Sequence, residues 1–569
     1  MEETRRSGNY GTSIWDHDYV QSLTTPYTDN KYIEQVEKLK KQVQIIIDET
    51  ENHTLAQLEL IDNLQRFDIS NHFEDSIKKI LGDIYRDEFD DSKHMQHLHV
   101  TSLKFRLLRQ NGFLVPQGAF YIYFLFDNTN IFLIFFLNLF YTEVFGSFLD
   151  KEGNFKECFA GDVKGVLSLY EASFLSVEGE RILDSAKKFS TRHLIEKVKQ
   201  VEDAILAEKV RHALELPLHW RVQKLEARWF MNIYNGDPIL LQLAALDFNM
   251  VQTIYQDEIK QLSRWHKETG LADKLGFARN RLPESYLWAV GFTPEPQFRF
   301  SREIMTKIAV MIVIMDDTYD VYGTMDELEI FTEMVERWDI NALDRLPEYM
   351  RISFLALFNC ANELAYKILR DQGLNIISKL RKLWAELSRA YYQEAKWFHS
   401  GYRPSTNEYI NVAWLTIPGP VLLFHGYFCV TNPINTKELH FLEQYPGIIR
   451  WPGIVLRLLG DLGTSSAEIK RGDVPKYIEC YMHETCCSEE DAREYIKKDL
   501  IDDLLKKMNK EILFMDKPIK NFQTTAMNLV RIGFSFYQFG DGFGSPYSDT
   551  KRNLVSLLVE PIPIPSTSS

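Results

Sequence analysis

Three aspartates follow a long apolar run in the stretch IVIMDDTYDVYG. Asp316 and Asp320 are four residues apart, and an α-helix, which turns by about 100° per residue, would place them on one face. Asp317 would point to another face, where it could pair with a cation. Mg²⁺ prefers one or two carboxylates together with water and substrate phosphate oxygens, so the spacing predicts a divalent-metal site. A solvated acidic end of a core helix is the alternative.

A second group of oxygen-bearing side chains lies in VLRLLGDLGTSSAEIKRGD. Thr464 and Glu468 would again share a helical face, and Arg457 would lie about two turns before them, where its guanidinium could bind a phosphate. The position four residues before Thr464 is Gly460, which has no side-chain oxygen. Taken alone, this stretch indicates a capped surface helix more than a metal site.

Two further features could bind a ligand, a pair of arginines and a set of aromatic residues. The loop Arg279-Asn280-Arg281 precedes Asp316 by 35 to 37 residues, and its paired guanidinium groups suit bidentate phosphate contacts, although arginine pairs are common on surfaces. Most of the aromatic residues are core by default. A subset, including Trp288 and Tyr537, could line a pocket whose ring faces stabilise a cation.

The elements that must position these residues are helices. Apolar residues recur at three and four positions, as in YIEQVEKLKKQVQIII, and alternating strand patterns are scarce, so the fold class is predicted to be all-α. Proline and glycine fall mainly between the helical runs. A proline breaks one run near residues 215–225, which predicts domains at 1–220 and 221–569.

Composition limits the classes of function. The chain has 569 residues, 45% of them hydrophobic and 25% charged, which is enough for a large core. A net charge of −15 argues against the broad basic surface that nucleic acid or an anionic membrane requires. Any anionic substrate must therefore meet a local basic patch. The 6 cysteines are too irregularly spaced for a disulfide framework or a metal site, and we expect reduced thiols.

One segment does not resemble the rest of the chain. Across 118–142, twenty of 25 residues are Phe, Tyr, Ile, Leu or Asn, the vocabulary of AT-rich codons, and we interpret the segment as a retained intron or a gene-model error. Its portion 120–141 is long enough to cross a bilayer. Polar residues at 127–130, near the middle, make that costly, so no stable membrane span is expected.

In identity, order and spacing, these motifs resemble those of plant class I terpene synthases. Arg5-Arg6, followed by eight residues and Trp15, resembles the tandem-arginine and tryptophan signature of that family. Arg279-Asn280-Arg281 resembles its Arg-x-Arg loop, and DDTYD its Asp-Asp-x-x-Asp metal motif. GDLGTSSAE resembles its second metal motif, Asn/Asp-Asp-x-x-Ser/Thr-x-x-x-Glu, with Arg457 at the position of a diphosphate-binding arginine. Tyr537–Gly544, YQFGDGFG, resembles the stretch that helps to close the pocket.

The resemblance covers the chain except for 118–142 and implies two helical domains, an N-terminal helical barrel without known chemistry of its own and a C-terminal catalytic bundle. Three Mg²⁺ ions, for which Mn²⁺ could substitute, are expected to hold a prenyl diphosphate between two walls of the bundle. The implied metal ligands are Asp316, Asp320, Thr464, Glu468 and Asp461. The residues implied to bind the diphosphate are Arg279, Arg281, Arg457, Asp316 and Asp320. The residues implied in catalysis are Asp316, Asp317, Trp288, Tyr537 and Asp541.

The implied chemistry is that of a carbon-oxygen lyase acting on a phosphate. Clustered positive charge would stabilise the diphosphate as it leaves. The allylic cation would then lie in a water-poor aromatic pocket near Trp288. One departure affects this scheme, because Gly460 stands where the family has Asn or Asp, and Asp461 is rotated by about 100° from that face. Either water completes the metal shell, the helix shifts, or activity is reduced.

Substrate and location follow from weaker signals. Only four residues precede the tandem arginines, which favours the cytoplasm and farnesyl diphosphate over a plastid and geranyl diphosphate. Stretches such as WAVGFTPEPQF resemble the branch with farnesene, ocimene and isoprene synthases, so an acyclic sesquiterpene such as α-farnesene is expected from a monomeric enzyme. The alternatives are a monoterpene synthase, with an ocimene-, myrcene- or linalool-like product, and a decayed, non-catalytic homologue. The motifs for a class II cyclase and for a chain-elongating prenyltransferase are missing.

Overall fold

A computed structural model of the chain describes residues 5–8, 10–11, 13, 15–51, 53–87, 97–115, 144–471, 474–515, 519–544 and 549–565. For residues 87, 466–471 and 520 it describes the backbone alone. The segment 118–142, interpreted above as an insertion, and the apolar stretch 120–141 within it lie outside the described residues.

The described chain is helical, with short 3₁₀ and π turns between the helices and only an isolated bridge between Leu149 and Phe155 outside them. This confirms the predicted all-α class. The α-helices are, in chain order, α1 (His17–Ser22), α2 (Asn30–Glu49), α3 (Thr54–Arg66), α4 (Glu74–Asp87), α5 (Leu98–Gln110), α6 (Val163–Ser173), α7 (Arg181–Lys197), α8 (Ala204–Glu215), α9 (Gln223–Ile233), α10 (Pro238–Thr269), α11 (Leu271–Lys274), α12 (Leu282–Phe292), α13 (Arg299–Asp317), α14 (Met325–Arg337), α15 (Glu348–Gln372), α16 (Ile377–Ser400), α17 (Thr406–Thr416), α18 (Gly419–Val430), α19 (Thr436–Leu442), α20 (Gly447–Arg471), α21 (Tyr477–Thr485), α22 (Glu489–Tyr495), α23 (Ile501–Phe514), α24 (Lys520–Tyr537) and α25 (Asp549–Leu558).

The chain forms two units. One comprises Gln35–Trp220 with Trp229–Ala244 and the end of the chain from Pro565. The other comprises the N-terminal residues up to Glu34, Arg221–Arg228 and Ala245–Ile564. The first residues therefore group with the C-terminal part of the chain, whereas the sequence assigned them to 1–220. The domain limits of 1–220 and 221–569 stay a prediction.

In the unit that begins at Gln35, amphipathic helices build the core. Helix α2 buries residues at every third or fourth position, which are Val36, Leu39, Val43 and Ile47, as expected of a helix with one apolar face. Helix α6 packs against α5 and α7. An ion pair also joins α6 to α3, because Arg66 Nη2 lies 2.7 Å from Glu171 Oε1.

In the larger unit, helix α18 occupies the centre. It packs against α13, α16, α20 and α24, and nearly all of its residues are buried. A helix that is apolar all round is expected in the core of a large bundle. In the described chain one stretch, Thr406–Val430, is long and apolar enough to cross a bilayer. However, 72% of its most apolar 18 residues are buried inside the protein. We therefore interpret that stretch as core.

Candidate active site

The first aspartate motif lies at the end of α13, where the winding of the helix changes. Helix α13 ends at Asp317, and Thr318–Tyr322 forms a single π-helical turn. The sequence pattern assumed α-helical winding from Asp316 to Asp320, so their angular relationship differs from that of a regular helix. Asp316 is half-buried and Asp320 is exposed, so a ligand can reach both carboxylates. Turns of this kind are frequent at functional sites.

Tyr319, the fourth residue of DDTYD, anchors the π turn. Its hydroxyl forms hydrogen bonds with Thr332 Oγ1 at 2.8 Å and with Ser388 Oγ at 2.5 Å, which joins the motif to α14 and α16. Its ring stacks on that of Tyr391, with centroids 5.5 Å apart and planes at 22°. These contacts fix the backbone that carries Asp320.

Asp317 is fully buried and pairs with Arg279. The backbone N–H of Arg279 donates to Asp317 Oδ2 at 2.7 Å, and its Nε donates to the same oxygen at 3.2 Å. Its Nη2 also contacts the Asp316 carboxylate. Burial opposes the charged form of Arg279, but Asp317 and Asp316 hold its pKa well above the usual value. Arg279 is thus the cation that Asp317 meets, and the pair ties the Arg-x-Arg loop to the metal motif.

Arg281 has a different environment, although it lies in the same loop as Arg279. It is 2% exposed, and its guanidinium donates to the backbone carbonyls of Gly11, Phe543 and Gly544 at 3.1 Å each. Burial lowers its pKa. In this structure Arg281 joins the N-terminal segment to the C-terminal stretch, and its contact with a diphosphate stays a prediction.

Arg457 in α20 is buried and oriented by three groups. Its Nε donates to the Ala413 carbonyl at 2.9 Å, and its Nη2 donates to Thr416 Oγ1 at 2.8 Å. Its Nη1 lies 3.4 Å from Asp461 Oδ1. The Thr416 hydroxyl donates in turn to the buried carboxylate of Glu394 at 2.9 Å. This chain of contacts fixes the guanidinium with respect to α16, α17 and α20.

Asp461, the acidic residue after Gly460, is engaged by the protein at both oxygens. Besides Arg457 at Oδ1, its Oδ2 accepts hydrogen bonds from the Tyr409 hydroxyl at 2.9 Å and from the Tyr477 backbone N–H at 3.2 Å. It is only 1% exposed. Its carboxylate therefore connects α17, α20 and α21, and its role as a metal ligand stays a prediction.

Gly460 has room for a side chain. A Cβ at this position would lie 3.5 Å from Ile417 Cδ1, which is ordinary van der Waals contact. One turn later, Thr464 Oγ1 donates to the Gly460 carbonyl at 3.0 Å. The backbone of Glu468 continues α20, but its side chain lies outside the described residues. As far as the structure describes it, the predicted second wall offers the hydroxyl of Thr464.

Residues from several helices meet around Asp316 and Arg457. Burial is the main cause of the raised pKa of Tyr391 and Tyr537, yet Asp316 raises both values further and Arg457 lowers both. The same two residues act on Glu394, whose pKa is raised mainly by burial. These electrostatic effects link the predicted residues Asp316, Arg457 and Tyr537, while the π turn packs on α16 and α20 packs on α24.

Trp288 supplies an aromatic surface in the same unit. It is half-buried, and its ring stacks on Phe536, the residue before Tyr537, with centroids 5.0 Å apart and planes at 20°. Asp541 lies in the turn that follows, where its Oδ1 accepts the backbone N–H of Gly544 at 2.7 Å. Asp541 therefore shapes the C-terminal stretch that Arg281 holds, while Trp288 presents a ring face.

The tandem arginines contact the metal motif directly. Arg6 Nη1 donates to the Asp320 carbonyl at 3.0 Å, and Arg5 Nη1 donates to the Tyr322 carbonyl at 3.0 Å. Arg5 also forms a bidentate pair with Glu327, with both N···O distances at 2.8 Å, and this pair lowers the pKa of Glu327 to about 2. The N-terminal segment thus supports the π turn that carries Asp320.

The donor chemistry fits Mg²⁺ on the first wall. Asp316 and Asp320 present hard carboxylate oxygens to solvent, and Mg²⁺ is commonly held by one or two carboxylates while water and substrate phosphate fill its other positions. Among the described side chains, no group of three or more His, Cys, Asp or Glu residues could hold a metal ion by itself. The arrangement therefore suits a metal that arrives with an anionic ligand.

Sequence reasoning did not identify two buried charged residues near this site. Glu394 is 5% exposed and Lys476 is 6% exposed, and Lys476 acts electrostatically on Glu394. The available signal for Glu394 was its position, because it falls on the buried stripe of α16 that includes Leu387 and Tyr391. Nothing in the spacing around Lys476 distinguished it from a surface lysine.

Comparison with known proteins gives matches over nearly the whole chain. Residues 267–506 match the profile described as "Terpene synthase family, metal binding domain", and residues 14–130 and 140–214 match "Terpene synthase, N-terminal domain". The trans-alpha-bergamotene synthase of Phyla dulcis is 62% identical, over 98% of this chain and 99% of that protein. The exo-alpha-bergamotene synthase of Lavandula angustifolia is 58% identical, over 99% of this chain and 100% of that protein.

Solved structures agree with these sequence matches. Limonene synthase with 2-fluorolinalyl diphosphate superimposes with a TM-score of 0.91 at 40% identity, over 98% of this chain and 100% of that chain. Isoprene synthase from grey poplar (Populus x canescens), in complex with three Mg²⁺ ions and dimethylallyl-S-thiolodiphosphate, gives a TM-score of 0.85 at 42% identity, over 97% of this chain and 100% of that chain. The predicted two-domain helical fold class is thereby confirmed.

Proposed function

Because this chain belongs to the terpene synthase family, a family of lyases, we propose that it is a Mg²⁺-dependent sesquiterpene synthase that acts on farnesyl diphosphate. The observation that carries the proposal is that Arg279 is held against the Asp316 and Asp317 carboxylates of the aspartate motif. The choice of a fifteen-carbon substrate is supported by the two relatives named for bergamotene, which is a sesquiterpene.

Different residues of this chain act on the diphosphate and on the hydrocarbon part of the substrate. Arg279 and Arg457 are cations held in fixed orientations, so they bind the diphosphate and stabilise the charge that develops as the carbon-oxygen bond breaks. Bound Mg²⁺ would supply further charge neutralisation of the leaving diphosphate. Trp288 presents its ring to the hydrocarbon cation, and Tyr537 and the stretch after it exclude water from that cation.

The product we propose is of the bergamotene type. Support comes from the relatives at 62% and 58% identity, because both are named as bergamotene synthases. The acyclic product expected from the sequence, α-farnesene, stays a prediction, and these names favour the cyclic product over it. Cytoplasmic location and a monomeric state likewise stay predictions.

A monoterpene synthase is the second candidate, because one observation favours it. The myrcene synthase of Quercus ilex, named for a monoterpene, is 50% identical over 98% of this chain and 90% of that protein. An enzyme of that type would accept geranyl diphosphate and release a ten-carbon product.

The test is product analysis with purified protein. The protein is incubated with Mg²⁺ and, in separate reactions, farnesyl or geranyl diphosphate, and volatile products are identified by gas chromatography with mass detection. We expect a sesquiterpene hydrocarbon from farnesyl diphosphate and its loss in Asp320→Asn. A product from geranyl diphosphate alone would support the second candidate and contradict the first.

A further inference from the structure

The hydroxyl of Tyr391 has no hydrogen-bond partner among the described residues, although it is buried. Tyr391 lies in α16 and is 1% exposed. Buried hydroxyl groups in native proteins are nearly always paired, because an unpaired one forfeits its bonds to water. An orphaned hydroxyl at the edge of a candidate active site therefore indicates a partner that arrives with a ligand.

The ring of Tyr391 is held in place, so the direction of its hydroxyl is fixed. It stacks on Tyr319 with centroids 5.5 Å apart. The hydroxyl of Tyr319 is itself engaged by Thr332 and Ser388 and does not pair with that of Tyr391. The stacked pair thus leaves one phenol satisfied and the other without a partner.

The charged groups that act on Tyr391 come from opposite walls of the site. Asp316 and Asp320 belong to the first metal motif, whereas Arg457 lies in α20 beside the second. Glu394, one turn later in α16, also contributes. Charges of both signs therefore act on Tyr391, whose ring is stacked on Tyr319 of the first metal motif.

The nearby charged groups already have other partners. Arg457 donates to Ala413 and Thr416, the Glu394 carboxylate accepts from Thr416, and Asp316 pairs with Arg279. A phenol hydroxyl is a hydrogen-bond donor, and donation to an anionic oxygen is its strongest interaction. The missing partner is thus best supplied by an anionic oxygen of a ligand.

We propose that the Tyr391 hydroxyl donates a hydrogen bond to an oxygen of the substrate diphosphate and so forms a further part of its binding site. This inference rests on the proposed function for the identity of the anion. It assigns to Tyr391 a contact with the leaving group, whereas an aromatic residue of the pocket would contact only the hydrocarbon.

The test compares Tyr391→Phe with the full-length protein, using inorganic diphosphate with Mg²⁺ as the probe. Phenylalanine keeps the stacked ring and removes only the unpaired hydroxyl, so the melting temperature without ligand should be unchanged or higher. Diphosphate affinity, measured by calorimetry, should fall roughly tenfold, as for a lost hydrogen bond to a charged group. Tyr392→Phe, at the neighbouring half-buried position, is the matched control and should keep the affinity.

The outcomes separate this inference from the proposed function. Equal diphosphate affinity in Tyr391→Phe and in the unchanged protein would overturn the contact and leave the function standing. A clearly lower melting temperature of the unliganded variant would show that the hydroxyl is structural and would also overturn it. If the unchanged protein fails to bind diphosphate with Mg²⁺, the proposed function fails first, and this inference fails with it.

Discussion

The carboxylate of Asp461 lies 3.4 Å from the guanidinium of Arg457, one helical turn away in α20. Its other oxygen accepts bonds from Tyr409 and from the backbone of Tyr477. Asp461 therefore orients the Arg457 guanidinium and connects α17, α20 and α21. Its role as a metal ligand in place of the oxygen that Gly460 lacks stays a prediction.

The first prediction concerns that missing oxygen. Gly460→Asn and Gly460→Asp should raise Mg²⁺ affinity, because among the described side chains a Cβ at this position meets only Ile417 Cδ1, at 3.5 Å, and the added oxygen would complete the second wall. The Mg²⁺ concentration for half-maximal turnover should fall by roughly tenfold, corresponding to about 1.4 kcal/mol. Metal titrations of purified variants measure it.

Gly460→Ala is the matched control, since it adds the Cβ without an oxygen. We expect it to titrate with Mg²⁺ as the unchanged protein does. If Asn, Asp and Ala all leave the metal dependence unaltered, no ligand is missing at this position and the site is complete without it.

A second prediction separates the two neighbouring roles in DDTYD. Asp317 is buried against Arg279, so Asp317→Asn should reduce the free energy of unfolding by about 3 kcal/mol, as expected when a buried pair loses one charge. Asp320 is exposed, and Asp320→Asn should remove activity while lowering stability less than Asp317→Asn does. Denaturant titration together with an activity assay tests both, and the reverse pattern would show that the roles are misassigned.

A third prediction concerns the pair formed by Arg5 and Glu327. In a double-mutant cycle with Arg5→Met and Glu327→Gln, the coupling energy should be about 1 kcal/mol, because the pair is bidentate and only partly exposed. The more exposed pair of Arg345 and Glu333 is the control and should show no measurable coupling. Similar coupling in the two cycles would mean that the N-terminal segment is not specifically held.

Buried His425 should make stability depend on pH. Burial lowers its pKa to about 4, against 6.5 in the unfolded chain, and its Nδ1 is bonded to the Val421 carbonyl. Between pH 6.5 and pH 4, His425 is protonated in the unfolded chain but stays neutral in the folded protein. The free energy of unfolding should therefore fall across this range, by about 3 kcal/mol in total. Below pH 4 this contribution should level off.

Denaturant titrations at several pH values measure this contribution as a difference in slope. His425→Gln should flatten the dependence between pH 6.5 and 4 relative to the unchanged protein. His440, whose side chain is 78% exposed, provides the control, and His440→Gln should keep the slope. Identical slopes for all three proteins would rule out His425 as the source.

The final prediction concerns 118–142. If this segment is a retained intron, a mature transcript lacks its 25 codons, and protein without these residues folds and turns over substrate. The profile of the N-terminal domain matches residues 14–130 and 140–214 and leaves out 131–139, which lie inside the segment. Sequencing the transcript across the junction decides the matter, because a mature message that keeps all 25 codons contradicts the interpretation.

Much of the fold could be predicted from the sequence, because helical periodicity is a local property. The apolar recurrence in YIEQVEKLKKQVQIII reappears as the buried stripe of α2. The π turn at Thr318–Tyr322 could not be predicted, since it depends on how α14 and α16 hold Tyr319. The grouping of the first residues with the larger unit likewise depends on contacts between residues far apart in the chain, such as Arg5 with Glu327.

The motifs of the candidate site could be predicted from the sequence, but the hydrogen-bond partners of its residues could not. Spacing predicted a metal site at Asp316, the resemblance to terpene synthases added Arg279 and Arg457, and the structure places Arg279 against Asp316. It could not show that Arg281 would hold backbone carbonyls, or that Glu394 would be buried beside the arginine network, because these contacts join residues far apart in the chain.

The most direct test of the account is a competition between the two substrates. Equal concentrations of farnesyl and geranyl diphosphate are given to the purified protein with Mg²⁺, and fifteen-carbon and ten-carbon products are quantified together by gas chromatography with mass detection. We predict that fifteen-carbon products exceed ten-carbon products by roughly tenfold or more and that both disappear in EDTA. An excess of ten-carbon products, or turnover that continues without a divalent metal, would contradict the account.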